Sequence, residues 1–294
     1  MSLPPIGFGC SPYREGERRV ALAAAVRAAL AAGYRLFDCA ELYGNEREIG
    51  EALHAPGAPA RRELVIVGKA WRTSYRPDHL RTACEGSLAR LGIEAFDLYL
   101  LHAPGAWRHL GALADPDGIG WEEFRRRAMP RHAGGGPWAD EVSLAETWGA
   151  MEELRRGGLA AAIGVSNFGR EDLAALPAPL PACDQIAGNP PGLDRATVAW
   201  CRERRVALLG HSPLSAAGLL ADPRVAAVAT ALGRTPAQVL LRWGIQTGLV
   251  PLPSSTRPER IVENLGALAF ELDRESMSAL DALRPENPPA QEPP

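Results

Sequence analysis

Four side chains of this sequence suit one piece of chemistry: Asp38, Tyr43, Lys69 and His102. Three of them close apolar runs, with 34–37 leading into Asp38, 64–68 into Lys69 and 96–101 into His102. Tyr43 follows Asp38 closely, immediately before Gly44 and Asn45. A phenol can hand a proton to a carbonyl oxygen while a hydride arrives at its carbon, but a free tyrosine ionises only at a pH of about 10. A nearby ammonium such as that of Lys69 favours the ionised form and lowers that pKa. Asp38 would hold Lys69 in place and keep it charged. His102 would hydrogen-bond the carbonyl oxygen and polarise it. Taken singly, each residue has a plainer explanation: a turn cap, a half-buried aromatic, a snorkelling lysine, a satisfied rim histidine. The chemistry needs a fold that brings the four together.

The elements around them supply one. Short apolar runs bounded by turn residues read as buried strands, and longer stretches of 3.6-residue period as helices. A first strand covers 6–9, with Tyr13 in the loop after it. A helix over 18–32 is closed by Gly33. The strand ending at Asp38 passes through Tyr43 into a helix over 46–53. The strand ending at Lys69 is followed by a helix opened by Arg76-Pro77 and closed by Gly92, and the strand over 96–102 ends at His102. Farther on, Ser143 and Glu146 form a capping box for a helix to Arg156. Strands over 161–165, 183–186, 206–210 and 249–252 alternate with helices over 170–176, 193–204, 225–232 and 236–247, and helices over 258–265 and 274–283 follow. Thr235-Pro236 is a favourable helix start.

Eight strands alternating with helices predict an α/β fold, a single (β/α)8 TIM barrel over 1–284. A doubly wound sheet would need a Gly-rich dinucleotide turn, and Gly7-Phe8-Gly9 lacks the third glycine. Barrel chemistry is done where the strands end, and neighbouring strands stand about 4.8 Å apart. Asp38, Lys69 and His102 end three successive strands, so with Tyr43 they converge over one mouth.

Composition narrows the classes further. A chain of 294 residues, 46% of them hydrophobic, can bury a large core. With 32 basic and 35 acidic residues the net charge is −3, which gives no reason to expect nucleic acid or a membrane surface as partner. No apolar run reaches the roughly 18 residues that span a bilayer, and Arg27 interrupts the Ala-rich stretch 21–32. The five cysteines, Cys10, Cys39, Cys84, Cys183 and Cys201, form no CxxC pair, so neither a metal site nor a disulfide framework is expected. A cytoplasmic setting and a monomer or weak oligomer are expected. The proline-rich tail 285–294 is expected to be disordered.

From 105 to 141 the alternation is lost. The segment is rich in Gly, Pro and Arg and holds Trp107, Trp121, Phe124 and Trp138. It reads as a long inserted loop after strand 4, a type of connection that often serves as a lid. Arg125-Arg126-Arg127 with Arg131 and His132 could grip an anion; one face of a short amphipathic helix is the plainer reading.

Set in order, these motifs resemble the aldo-keto reductase family over nearly the whole chain. Asp38 to Glu46 resembles its Asp-x-Ala-x-x-Tyr-Gly-Asn-Glu signature. Val67-Gly68-Lys69-Ala70-Trp71 resembles its lysine strand, Leu100-Leu101-His102-Ala103-Pro104 its histidine strand, and Ile163-Gly164-Val165-Ser166-Asn167-Phe168 a further motif. The resemblance implies a nicotinamide cofactor across the barrel mouth, usually NADPH. Ser166, Asn167 and Gln185 match positions that hold the nicotinamide carboxamide, and a hydroxyl with two amides can satisfy that group. Ser212-Pro213-Leu214 matches the loop passing the pyrophosphate. Pro253-Ser254-Ser255 with Arg260 and Asn264 matches the segment around the adenosine phosphate, where an arginine at a helix start suits an anion.

This chain departs from the family pattern at named positions. His211 stands where a tyrosine usually stacks on the nicotinamide. Ser254 stands where a lysine is frequent, which leaves NADH as the alternative cofactor unless Arg257 or Arg260 compensates. Ala103 replaces a tryptophan that often walls the substrate pocket. The expectation is that Trp107, Trp121 or Trp138 closes over a bulky substrate in its stead, with Tyr13 and Trp71 on the other sides. The implied activity is NAD(P)H-dependent reduction of an aldehyde or ketone, or the reverse, on a small-molecule carbonyl or alcohol partner. An epimerase or lyase on the same site, and a cofactor-binding sensor without turnover, are the alternatives.

Overall fold

Period-two alternation along the strands decides the architecture. The computed structural model describes residues 3–11 and 17–283. Its strands are β1 (Phe8–Gly9), β2 (Leu36–Asp38), β3 (Val65–Ala70), β4 (Phe96–Leu101), β5 (Ala160–Ser166), β6 (Cys183–Ala187), β7 (Ala207–His211) and β8 (Leu249–Pro251). They form one sheet in sequence order, each parallel to the next. The Gly7 N–H donates to the Pro251 carbonyl and the Gly9 N–H to the Pro253 carbonyl, each at 2.9 Å, which sets the first strand against the last. The chain is thus the expected (β/α)8 barrel. Leu36, Val67, Leu98, Leu100, Cys183, Leu209 and Leu252 pack together inside it. The residues between them, among them Phe37, Ile66, Tyr99, Leu101, Ile186 and Leu208, belong to the layer under the helices.

Parallel neighbours need crossovers, and helices provide them. In chain order these are α1 (Glu17–Ala32), α2 (Glu46–Leu53), α3 (Pro77–Leu91), α4 (Pro116–Ile119), α5 (Trp121–Ala128), α6 (Leu144–Arg156), α7 (Arg170–Ala175), α8 (Arg195–Arg204), α9 (Pro223–Leu232), α10 (Pro236–Gln246), α11 (Pro258–Leu265) and α12 (Arg274–Asp281). The capping boxes Ser143–Glu146 and Thr235–Gln238 form as the sequence predicts. Most element ends fall within one or two residues of expectation.

The stretch between β4 and α6 is more ordered than expected. It holds α4 and α5 and two antiparallel bridges, Trp107 with Ala139 and Arg131 with Pro137. The plainer reading holds for part of the cluster: Arg125, Arg126 and Arg127 lie on α5, where Arg126 and Arg127 both pair with Glu123 at 2.7 Å, whereas Arg131 and His132 lie beyond it in the bridged turn. Tyr13 and the tail 285–294 lie outside the described residues. Among the described residues no helix is long and apolar enough to cross a membrane, no group of three or more metal-type ligands occurs, and all five cysteines are buried thiols.

Candidate active site

Each candidate at the mouth stands two residues beyond a side chain that fills the barrel. Leu36 leads to Asp38, Val67 to Lys69, Leu100 to His102, Cys183 to Gln185 and Leu209 to His211. The two-residue period therefore turns all five inward at the carboxyl ends of their strands. Ser166 ends β5 in the same sense, four residues beyond the inward Ala162. Tyr43 arrives differently, on the single 3-10 turn Glu41–Tyr43 that follows β2. Gly44 ends that turn at φ 62°, and a Cβ there would stand 2.8 Å from Pro116 Cγ and 3.3 Å from rings of Phe124 and Trp121. Only glycine allows α4 and α5 to press so closely on the Tyr43 turn.

The inward polar groups are engaged with one another. Lys69 Nζ donates to Asp38 Oδ1 at 2.5 Å, and Gln185 Nε2 donates to the same oxygen at 2.7 Å. Both partners of that ion pair are buried. Lys69 Nζ lies 5.2 Å from the Tyr43 ring centroid, and the His102 ring meets Tyr43 edge-on at 5.8 Å. One expectation is corrected here. Burial raises the Tyr43 pKa above the ordinary value and outweighs the lowering by the Lys69 charge. Lys69 reduces a shift whose sign desolvation sets.

On the next three strands the groups form a chain. Asn167 Nδ2 donates to the His102 carbonyl at 2.9 Å and to Ser166 Oγ at 3.0 Å; Ser166 Oγ donates to the Gln185 carbonyl at 3.0 Å. His211 Nε2 lies 2.8 Å from Asn167 Oδ1 and Nδ1 lies 3.2 Å from Ser212 Oγ. With the amide oriented by His102, Oδ1 can only accept, so Nε2 carries the proton and Nδ1 accepts from Ser212. Burial, helped by the Lys69 charge, brings the His211 pKa down to about 4 and leaves its ring neutral. Asn167 and Ser212 are held at positive φ, 60° and 50°, a conformation that clusters at functional sites. Pro213 and Asn264 are buried, Leu214 and Ser255 half-buried, and Ser212, Ser254 and Arg260 exposed.

The candidate pocket residues divide. Trp71 is buried and meets His102 edge-on at 4.9 Å and Trp107 at 5.6 Å. Trp107 packs with Tyr43, Trp71, Leu113 and Phe124, with Trp121 against that cluster. Trp138 does not join them: it is 40% exposed, with the Arg108 guanidinium 5.2 Å from its ring. Ala103 is buried, and its N–H and carbonyl both hydrogen-bond the Tyr75 hydroxyl, at 3.2 and 2.7 Å.

Sequence reasoning gave Glu41 no part, although an acid inside an otherwise apolar turn was a signal. Its Oε2 accepts the Trp71 N–H at 2.9 Å and its Oε1 the Ser74 hydroxyl at 3.1 Å, so it fixes the aromatic wall from behind. Burial raises its pKa to about 7, against lowering by the Trp71 N–H and Arg90. An unfolded glutamate titrates at about 4.3. Between these values the folded state holds the extra proton, so stability falls as pH rises, by about 4 kcal/mol in all, and is level above. Glu41→Gln keeps the Trp71 N–H contact through its amide oxygen, and its amide nitrogen can donate to the Ser74 hydroxyl in place of the present acceptor. It is expected to flatten that slope and to raise the urea midpoint above the parent's at pH 8, with no gain at pH 4.

The fold and this inward cluster define the class, a barrel oxidoreductase whose mouth carries a tyrosine beside a lysine–aspartate pair. Comparison with known proteins then gives the family. A family model described as the Aldo/keto reductase family matches residues 5–285. The chain is 36% identical to aldo-keto reductase family 1 member A1-A of Danio rerio, over 95% of this chain and 86% of that one, and 35% identical to the Homo sapiens member A1 over 96% and 86%. Its structure is similar to the aldose reductase of Schistosoma japonicum with a TM-score of 0.85 at 33% identity, covering 97% of this chain and 89% of that one. Against that of Giardia lamblia the TM-score is 0.84 at 30% identity, covering 96% and 93%. The chain belongs to the aldo-keto reductase family. It is an NAD(P)H-dependent oxidoreductase that interconverts a carbonyl and an alcohol.

Proposed function

We propose that the chain reduces an aldehyde or ketone with NADPH and takes the proton from Tyr43. The observation that carries this reading is the buried Lys69–Asp38 pair beside the phenol, with His102 on its other side. His102 polarises the carbonyl oxygen, Tyr43 delivers its proton there, and Lys69 stabilises the phenolate left behind. When bound, the cofactor supplies the hydride. The donor set fits it: a hydroxyl and two carboxamides at the ends of β5 and β6 suit a primary amide. The neutral His211 ring can lie against a nicotinamide that becomes cationic on oxidation, without repulsion. Tryptophan fluorescence quenching by NADPH, followed by loss of the reduced-nicotinamide absorbance with a panel of aldehydes and ketones, tests the reading. Binding without turnover on any of them would favour a sensor instead.

NADPH rather than NADH is supported by Arg257 and Arg260, exposed at the start of α11, where a phosphate would gain both their charge and the helix terminus. Arg260→Gln is expected to raise the Kd for NADPH by about tenfold, the worth of one charge-assisted hydrogen bond, with NADH affinity unchanged. Equal weakening of both cofactors would remove Arg260 from phosphate recognition. The balanced net charge suits a cytoplasmic enzyme acting on small molecules.

A further inference from the structure

We propose that Arg72 receives a carboxylate of the substrate, so that the preferred substrates are carbonyl compounds bearing an acid group several bonds from the reacting carbon. This rests on the reductase reading of the Tyr43 site. Arg72 opens the turn after β3, next to Trp71. Its guanidinium lies over the Trp107 ring, 4.1 Å from the centroid. Its Nε donates to the Gly105 carbonyl at 2.9 Å, and its own carbonyl accepts the Trp107 N–H at 2.9 Å. The group is therefore oriented by neutral partners and stacked on an aromatic face, the way arginine is held where it reads a planar anion.

No carboxylate pairs with it among the described residues. Neighbouring arginines have acids of their own: Arg47 has Asp115, Arg76 has Asp140 and Arg127 has Glu123. Arg72 is half-buried, and burial disfavours its charged form. A cation withdrawn from water without an acid is a cost, and a ligand carboxylate would relieve it. With Nε committed, the two Nη nitrogens remain as a fork for bidentate contact. Gly105 keeps one of them open. It sits at φ 78°, and a Cβ there would stand 3.0 Å from Arg72 Nη2.

The spacing limits the ligand. Trp71 touches His102 on one side and Trp107 on the other, and the guanidinium stacks on Trp107. The path from His102 to the guanidinium crosses both indoles, in steps of 4.9, 5.6 and 4.1 Å, so a carbonyl at Tyr43 and His102 and a carboxylate at Arg72 must be several bonds apart. An ω-carboxyalkanal or 4-carboxybenzaldehyde meets that; an α-keto acid does not.

The test compares kcat/KM for 4-carboxybenzaldehyde, 4-methylbenzaldehyde and glyoxylate with NADPH. The parent is expected to prefer the carboxybenzaldehyde over its methyl analogue by about tenfold or more, chiefly through KM, with glyoxylate poor. Arg72→Met should cut that ratio by about tenfold and Arg72→Lys should keep part of it, since a point charge lacks the fork. An unchanged ratio in Arg72→Met, or no acid preference in the parent, overturns the proposal. If the parent turns over neither benzaldehyde, the reductase reading fails by itself. Binding of 4-(hydroxymethyl)benzoate, followed by tryptophan fluorescence in parent and Arg72→Met, then decides the Arg72 assignment: weaker binding in the variant supports it and equal binding overturns it.

Discussion

Replacing Tyr43 by phenylalanine is expected to lower kcat for carbonyl reduction by about a thousandfold, the scale of one positioned general acid, while the Kd for NADPH stays within about twofold. The substitution removes one oxygen and leaves the ring that packs with Trp71, Trp107 and Phe124, so the wall of the site survives. Stopped-flow reduction and cofactor titration on the same preparation separate the two quantities. Retained turnover would remove the phenol from the chemistry. The pH profile carries a second check. Burial holds the Tyr43 pKa above its ordinary value despite Lys69. An acid must be protonated to act, so reduction should be level across neutral pH and fall only beyond a pH of about 10. Oxidation of the alcohol, which needs the phenolate, should rise toward alkali. A reduction rate that falls between pH 6 and 8 would assign the proton to another group.

Much of this arrangement was legible in the sequence because each strand announces its end. An apolar run stops at a polar residue, and in a parallel barrel that residue is at the rim. Asp38, Lys69 and His102 follow from this alone, and the two-residue period explains why they point inward. What spacing does not carry is the identity of a neighbour across the fold. Glu41 and Arg72 were passed over because their meaning lies in Trp71 and Ser74 for one and in Gly105 and Trp107 for the other. The helix α5 was hard to read because only Phe124 and Ala128 of its eight residues are buried, too few to set a period. The three tryptophans were equivalent in sequence. Packing separates Trp107 and Trp121, which join the Tyr43 cluster, from Trp138, which stacks with Arg108 at the surface. The sign of the Tyr43 shift depends on burial competing with one charge, and residue order cannot weigh those two.

The Lys69–Asp38 pair yields the other large effect, and it separates stability from function. Lys69→Met leaves Asp38, 2% exposed, with Gln185 Nε2 as its remaining side-chain donor among the described residues, and is expected to lower stability by about 3–5 kcal/mol, the cost of an uncompensated buried charge. Asp38→Asn should cost a similar amount by stranding the ammonium. The double variant removes both charges and should recover most of the loss, a coupling of several kcal/mol read from urea midpoints. Reduction should not recover with it, because no cation then stands 5.2 Å from the Tyr43 ring. Burial alone would lower the Lys69 pKa, but Asp38 and then Tyr43 outweigh it and hold it above the ordinary value. A lysine whose folded pKa is raised stabilises fully below its unfolded pKa of about 10.4 and loses that contribution as pH climbs through the folded value. The difference between parent and Lys69→Met should therefore be constant from pH 6 to 9 and shrink only in stronger alkali. A stable but inactive double variant would mean that the pair is kept for the charge it holds beside the phenol, since an apolar pair of similar volume would fold as well.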